Sequence, residues 1–121
     1  MVIKIIIVED ENILALDLKQ RLKLLGHEVI GIAATGADAL KLVKNNEVDL
    51  IFMDIHLKEK LNGIETALLI KEEFDIPIIY NSANFNSNII NELKKTENYK
   101  YLTKPFDDIQ LQNAIKSILK L

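Results

Sequence analysis

Five residues of reactive type stand where apolar runs end. Glu9 and Asp10 follow VIKIIIV, Asp54 follows DLIFM, Ser82 follows IPIIYN and Lys104 follows YKYLT. Asp54 interrupts LIFMDIHL, and a carboxylate at the edge of a core is costly unless its charge is compensated. Brought together, three carboxylates repel: two like charges about 4 Å apart cost about 4 kcal/mol at an effective dielectric of about 20. A hard divalent cation relieves that repulsion, and ligands that are all oxygen select Mg²⁺ over zinc or copper. Mg²⁺ held by a few carboxylates keeps waters and takes phosphate oxygens as its other ligands. Lys104 adds a point charge suited to a phosphoryl oxygen, and Ser82 adds a hydroxyl donor. Such a set is suited to carrying a phosphoryl group. Asp54 is the nucleophile in it, because a carboxylate can form an acyl phosphate. Catalysis would then consist mostly of positioning and charge neutralisation.

Each residue taken singly has a plainer role. Asp10 can cap a helix, Ser82 can be a loop hydroxyl, Lys104-Pro105 can be an ordinary turn, and Tyr101 reads as a core residue. Arrival at four separate strand ends favours the joint reading.

The elements that must position these residues alternate along the chain. Short β-branched or apolar runs at 2–8, 28–34, 49–53, 76–83 and 99–103 read as strands. Helices are expected over 12–26, 35–46, 62–74 and 86–95, and from 108 to the end. In the first of them Ile13, Leu16, Leu18, Leu22 and Leu25 have near-helical spacing, and Gly26 stops it. Thr35 with Asp38, Asn62 and Asp107 supply N-terminal caps. A fivefold βα order with short connections implies a parallel sheet covered by helices on both faces. In open sheets of this kind, ligands bind outside the carboxyl ends of the strands.

The chain has 121 residues, no Cys, 49% hydrophobic and 27% charged residues. That fits one well-cored domain spanning 1–121 and excludes disulfides and thiolate metal sites. The apolar run in MVIKIIIVED is too short for a signal peptide, and no stretch approaches the roughly 20 apolar residues of a membrane span. A net charge of −3 and a single arginine, Arg21, give no support for a nucleic-acid surface. A cytoplasmic location is expected.

IIIVEDE (5–11), LIFMDIHL (50–57), NGIETA (62–67), IPIIYNSA (76–83) and YLTKPF (101–106) resemble the receiver domain of two-component response regulators. The likeness runs over essentially the whole chain. It implies a doubly wound, flavodoxin-like (βα)5 fold with strand order 2-1-3-4-5. It implies that Asp54 accepts a phosphoryl group from the phosphohistidine of a sensor histidine kinase or phosphotransfer protein. It also implies Mg²⁺, with Mn²⁺ as the alternative ion, held by Asp10 and Asp54, by the backbone carbonyl of His56, and by Glu9 mainly through a metal-bound water. Ser82 and Lys104 would bind phosphoryl oxygens. Tyr101 would be the switch aromatic coupled to Ser82, altering the face of the fourth helix, fifth strand and fifth helix for an output partner. Such a domain assists its own phosphorylation and dephosphorylation without being a turnover enzyme. It would be a monomer or a phosphorylation-linked dimer.

Some positions depart from the commonest pattern. Glu-Asp stands where many receivers have two aspartates, and Ser82 replaces threonine. HLKEKLNG lacks Met-Pro and is one residue longer. ENYKY lacks the acidic pair of the winged-helix regulators, which removes support for their shared dimer. His56 and Asn84 stand where the approach of a hydrolytic water is flanked, and neither is a carboxylate, so slow self-dephosphorylation is expected.

Three rivals compete with a phosphorylatable switch. A degenerate receiver would act as an interaction module without phosphorylation, yet all five site positions hold competent residues. A nucleotide or flavin domain would need a glycine- or hydroxyl-rich loop after the first strand, and VEDEN repels phosphate unless a cation intervenes. A haloacid-dehalogenase-type phosphatase would carry a second Asp at position 56, where this chain has His56.

Overall fold

The computed structural model describes residues 2–58 and 60–121. Five strands, β1 (Lys4–Val8), β2 (Glu28–Ala33), β3 (Leu50–Asp54), β4 (Ile78–Ser82) and β5 (Tyr99–Thr103), alternate with five helices. The helices are α1 (Asn12–Leu24), α2 (Gly36–Asn45), α3 (Gly63–Glu73), α4 (Ser87–Leu93) and α5 (Asp108–Leu119). A short 3₁₀ turn, Lys94–Thr96, takes the end of the expected fourth helix. All pairings are parallel, in the order β2-β1-β3-β4-β5.

The sheet is buried on both faces, and the alternation of β1 shows how. Ile5 and Ile7 point to one side with Phe52 and Ile79, against Ala15, Leu18 and Leu22 of α1 and Leu111, Ile115 and Ile118 of α5. Ile6 and Val8 point to the other with Ile51, Met53 and Tyr80, against α2, α3 and α4. A period of two with both faces apolar is what a covered parallel sheet requires.

Local signals set the helix starts. Asn62 and Glu65 form a reciprocal capping box on α3, and Asp107 and Gln110 form another on α5. Thr35 accepts a hydrogen bond from the Asp38 N–H, and Asn86 caps α4. After α1 the chain turns through Gly26 at φ 92, a left-handed conformation that suits glycine. Of the residues at near-helical spacing on α1, Leu18 and Leu22 are buried, whereas Ile13 and Leu16 are 83% and 59% exposed. The small Ala15 is buried against the sheet with Leu18 and Leu22. Among the described residues no helix is long and apolar enough to cross a membrane. The extra length expected in the 56–63 loop involves Glu59, which lies outside the described residues.

Candidate functional site

Asp54 is the last residue of β3, one place later than the expected strand end, with its backbone in register with Asn81 of β4. The residue is 6% exposed. Oδ1 accepts the His56 N–H at 3.1 Å, which fixes the rotation of the carboxylate. Glu9 follows β1 and is equally buried, at 5% exposed. One oxygen each of Glu9, Asp10 and Asp54 lies within 4.8 Å of the others. Asp10 is not a helix cap: α1 is preceded by Glu11 without a side-chain cap, and Asp10 Oδ2 accepts the Lys58 N–H at 3.0 Å. That bond ties the loop after β3 to the loop after β1.

Lys104 comes from the far side of the sheet. Its N–H donates to the Ser82 carbonyl at 2.8 Å, continuing the β4–β5 ladder past the end of β5. Its Nζ lies 2.8 Å from Glu9 Oε1 and 3.8 Å from Asp54 Oδ2. The site thus holds three carboxylates and one ammonium. Burial pushes the Glu9 carboxyl above its ordinary value, the hydrogen bond from Lys104 pulls it back in part, and Asp54 pushes it up again. An oxygen-only set with excess negative charge at the rim of a sheet fits a hard divalent cation such as Mg²⁺.

The sequence between 5 and 116 matches the model of the response regulator receiver domain. The chain belongs to that family. A probable transcriptional regulator, ycf27 of Cyanidium caldarium, is 36% identical over 96% of this chain and 46% of its own length. The regulatory protein PdtaR of Mycobacterium tuberculosis is 29% identical over 93% of this chain and 55% of its own. The chain therefore spans about half the length of these curated relatives. The signal receiver domain of a modulated diguanylate cyclase from Desulfovibrio desulfuricans superimposes with a TM-score of 0.90 at 26% identity, over 99% of this chain and 95% of that one. The receiver domain of sensor histidine kinase PA1611 from Pseudomonas aeruginosa, solved with magnesium coordinated in its active-site cleft, superimposes with a TM-score of 0.86. It is 27% identical, over 100% of both chains. The chain is a signalling domain of the response-regulator receiver family.

Ser82 and Tyr101, the other residues expected at the site, are each engaged by a neighbour of their own. Ser82 ends β4 and is buried, but its hydroxyl is engaged by its own loop: it donates to the Asn84 carbonyl at 3.1 Å and accepts the Asn84 N–H at 3.2 Å. The Asn84 backbone thus holds the Ser82 hydroxyl, and Asn86 caps α4. Tyr101 is not a core residue. It is 43% exposed, and its ring lies against Phe85 with centroids 4.7 Å apart. The buried aromatic next to it on β4 is Tyr80, which meets Tyr99 edge-on. Two contributors escaped the sequence reading. Phe85 hides in an asparagine-rich loop. Arg21 could have been noticed only as the sole arginine of the chain.

Proposed function

We propose that residues 1–121 form one receiver domain that works as a phosphoacceptor switch in a phosphorelay. Asp54 attacks the phosphohistidine phosphoryl group of a sensor kinase or phosphotransfer protein. The new bond is Asp54 Oδ to phosphorus, the broken one is phosphorus to imidazole nitrogen, and the imidazole leaves neutral because its other ring nitrogen already carries a proton. The observation that carries this is the Asp54 carboxylate, buried beside two further acids and 3.8 Å from an ammonium. Asp10 and Asp54, with the His56 carbonyl, would hold Mg²⁺, and Glu9 would reach it mainly through water. Bound there, the ion would neutralise charge on the transferring phosphoryl oxygens.

Lys104 then exchanges its Glu9 partner for a phosphoryl oxygen. Ser82 leaves the Asn84 backbone to donate to another. That withdrawal draws the loop after β4 inward and gives Tyr101 room to leave Phe85, changing the face formed by α4, β5 and α5 for an output partner. We place this chemistry in the cytoplasm, where kinase and regulator meet.

Intact mass after exposure to phosphoramidate tests the reading. Gain of one phosphoryl group with Mg²⁺ and none in chelator supports it; no gain in either sinks it.

A further inference from the structure

We infer that Arg21 is a positioning residue for the phosphoryl chemistry: from α1 it holds the turn that presents Lys104. This rests on the reading of Asp54 as phosphoacceptor. Arg21 reaches across 85 positions of sequence to donate from Nη2 to the Phe106 carbonyl at 2.7 Å. Its Nε donates to Asp108 Oδ1, also at 2.7 Å. The guanidinium lies 4.9 Å from the centre of the Phe106 ring, and Nη1 is 3.8 Å from Asp17 in the preceding turn of α1. One planar group therefore grips a carbonyl, a carboxylate and a ring at the start of α5.

The turn needs that grip. Lys104 is anchored on the strand side by the Ser82 carbonyl, and two residues later the chain meets Arg21. Between the turn and α1 lies a cleft of about 390 Å³, bounded by Leu14 and Leu18, by Asn81 and Ala83, and by Pro105 and Phe106. Phe106 packs against the core beneath, but the open cleft leaves Lys104 and Pro105 with less packing on the side facing α1. Directional bonds from α1 do the work that close packing does elsewhere. A lysine could not substitute, because a single point charge cannot engage the Phe106 carbonyl and the Asp108 carboxylate in one fixed fork. The ring contact adds attraction that holds the fork in plane. Loosening the turn leaves every metal-ligating carboxylate in place but lets the Lys104 ammonium wander from the position a phosphoryl oxygen requires. Small misplacements of a reacting group cost rate steeply.

The test is the rate of Asp54 phosphorylation by phosphoramidate in saturating Mg²⁺, measured for Arg21→Met alone and combined with Lys104→Ala. If Arg21 acts through Lys104, Arg21→Met slows the reaction on the order of tenfold in the native background and less than about twofold when Lys104 is already absent. Mg²⁺ affinity, read by titration of backbone amide resonances, stays unchanged. Equal slowing in both backgrounds would mean a general structural brace and overturn the inference, as would native speed in Arg21→Met. Should Arg21→Met fail to fold, Asp108→Asn weakens the same grip from its far end. It is then expected to slow the reaction about threefold, again only when Lys104 is present. A wild-type protein that takes no phosphoryl group contradicts the phosphoacceptor reading itself, whereas a reactive wild type with an indifferent Arg21 contradicts this inference alone.

Discussion

The Lys104 ammonium lies 2.8 Å from a carboxylate oxygen of Glu9, a residue 95 positions away that is itself almost wholly buried. The lysine is thus already committed inside the acidic site before any phosphoryl group arrives. Removing it leaves a buried carboxylate without its cation. Since the lysine is partly solvated, Lys104→Ala should lower the stability of the metal-free domain by about 1–2 kcal/mol, less than for a fully buried pair. Mg²⁺ should restore more stability to this variant than to the wild type, while the response to phosphoryl analogues is lost. Urea unfolding with and without Mg²⁺ measures the first part. An unchanged midpoint in chelator would show that the contact contributes nothing.

Glu9 predicts how the metal-free domain responds to pH. Its carboxyl titrates above the ordinary value of 4.5, chiefly because it is buried. Between the ordinary and the raised value the folded state binds more protons than the unfolded one. Stability contributed by this group is therefore present at low pH and lost as pH rises through that window. In chelator, Glu9→Gln should flatten the decline. A decline of the same slope in Glu9→Gln would assign it to other groups.

Crowding among the three acids is tested by isosteres that keep their hydrogen bonds. Asn at 54 can still accept the His56 N–H, and Asn at 10 can still accept the Lys58 N–H. Asp54→Asn and Asp10→Asn should each raise metal-free stability by about 1 kcal/mol, or about 4 °C in melting temperature. Mg²⁺ should then stabilise the wild type more than either variant. Melting curves in chelator with both variants below the wild type would contradict a repulsive site.

The lifetime of the phosphorylated state should depend on His56, which is exposed just past Asp54. His56→Gly is expected to speed loss of the phosphoryl group, because a bulky ring no longer obstructs the approaching water. Asn84→Ala should change the rate less. First-order decay in excess Mg²⁺ gives the comparison; equal or slower decay in His56→Gly would show that the ring does not gate the water.

Most of the sheet and all of the acidic site were legible in the sequence, for a physical reason. A parallel strand covered on both faces must be an unbroken apolar run, so a lone Asp54 or paired Glu9 and Asp10 at its end is conspicuous. Helix faces were harder. On α1 the apolar residues outnumber the inward positions, which fall to Ala15, Leu18 and Leu22 and leave Ile13 and Leu16 exposed. Tyr101 and Arg21 depended on long-range partners, Phe85 and Phe106, that no local pattern announces. α4 begins at Ser87, so its cap is Asn86, while the Asn84 backbone is bonded to the Ser82 hydroxyl.

The role of Asp54 as phosphoacceptor is tested most directly by chemical mapping. Borohydride reduces an aspartyl phosphate to homoserine, so peptide mass spectrometry after phosphoramidate treatment reports where the phosphoryl group sat. Homoserine is expected at position 54 when Mg²⁺ is present, none there in chelator, and none in Asp54→Asn. Conversion at another residue, or labelling that is indifferent to Mg²⁺, would contradict it.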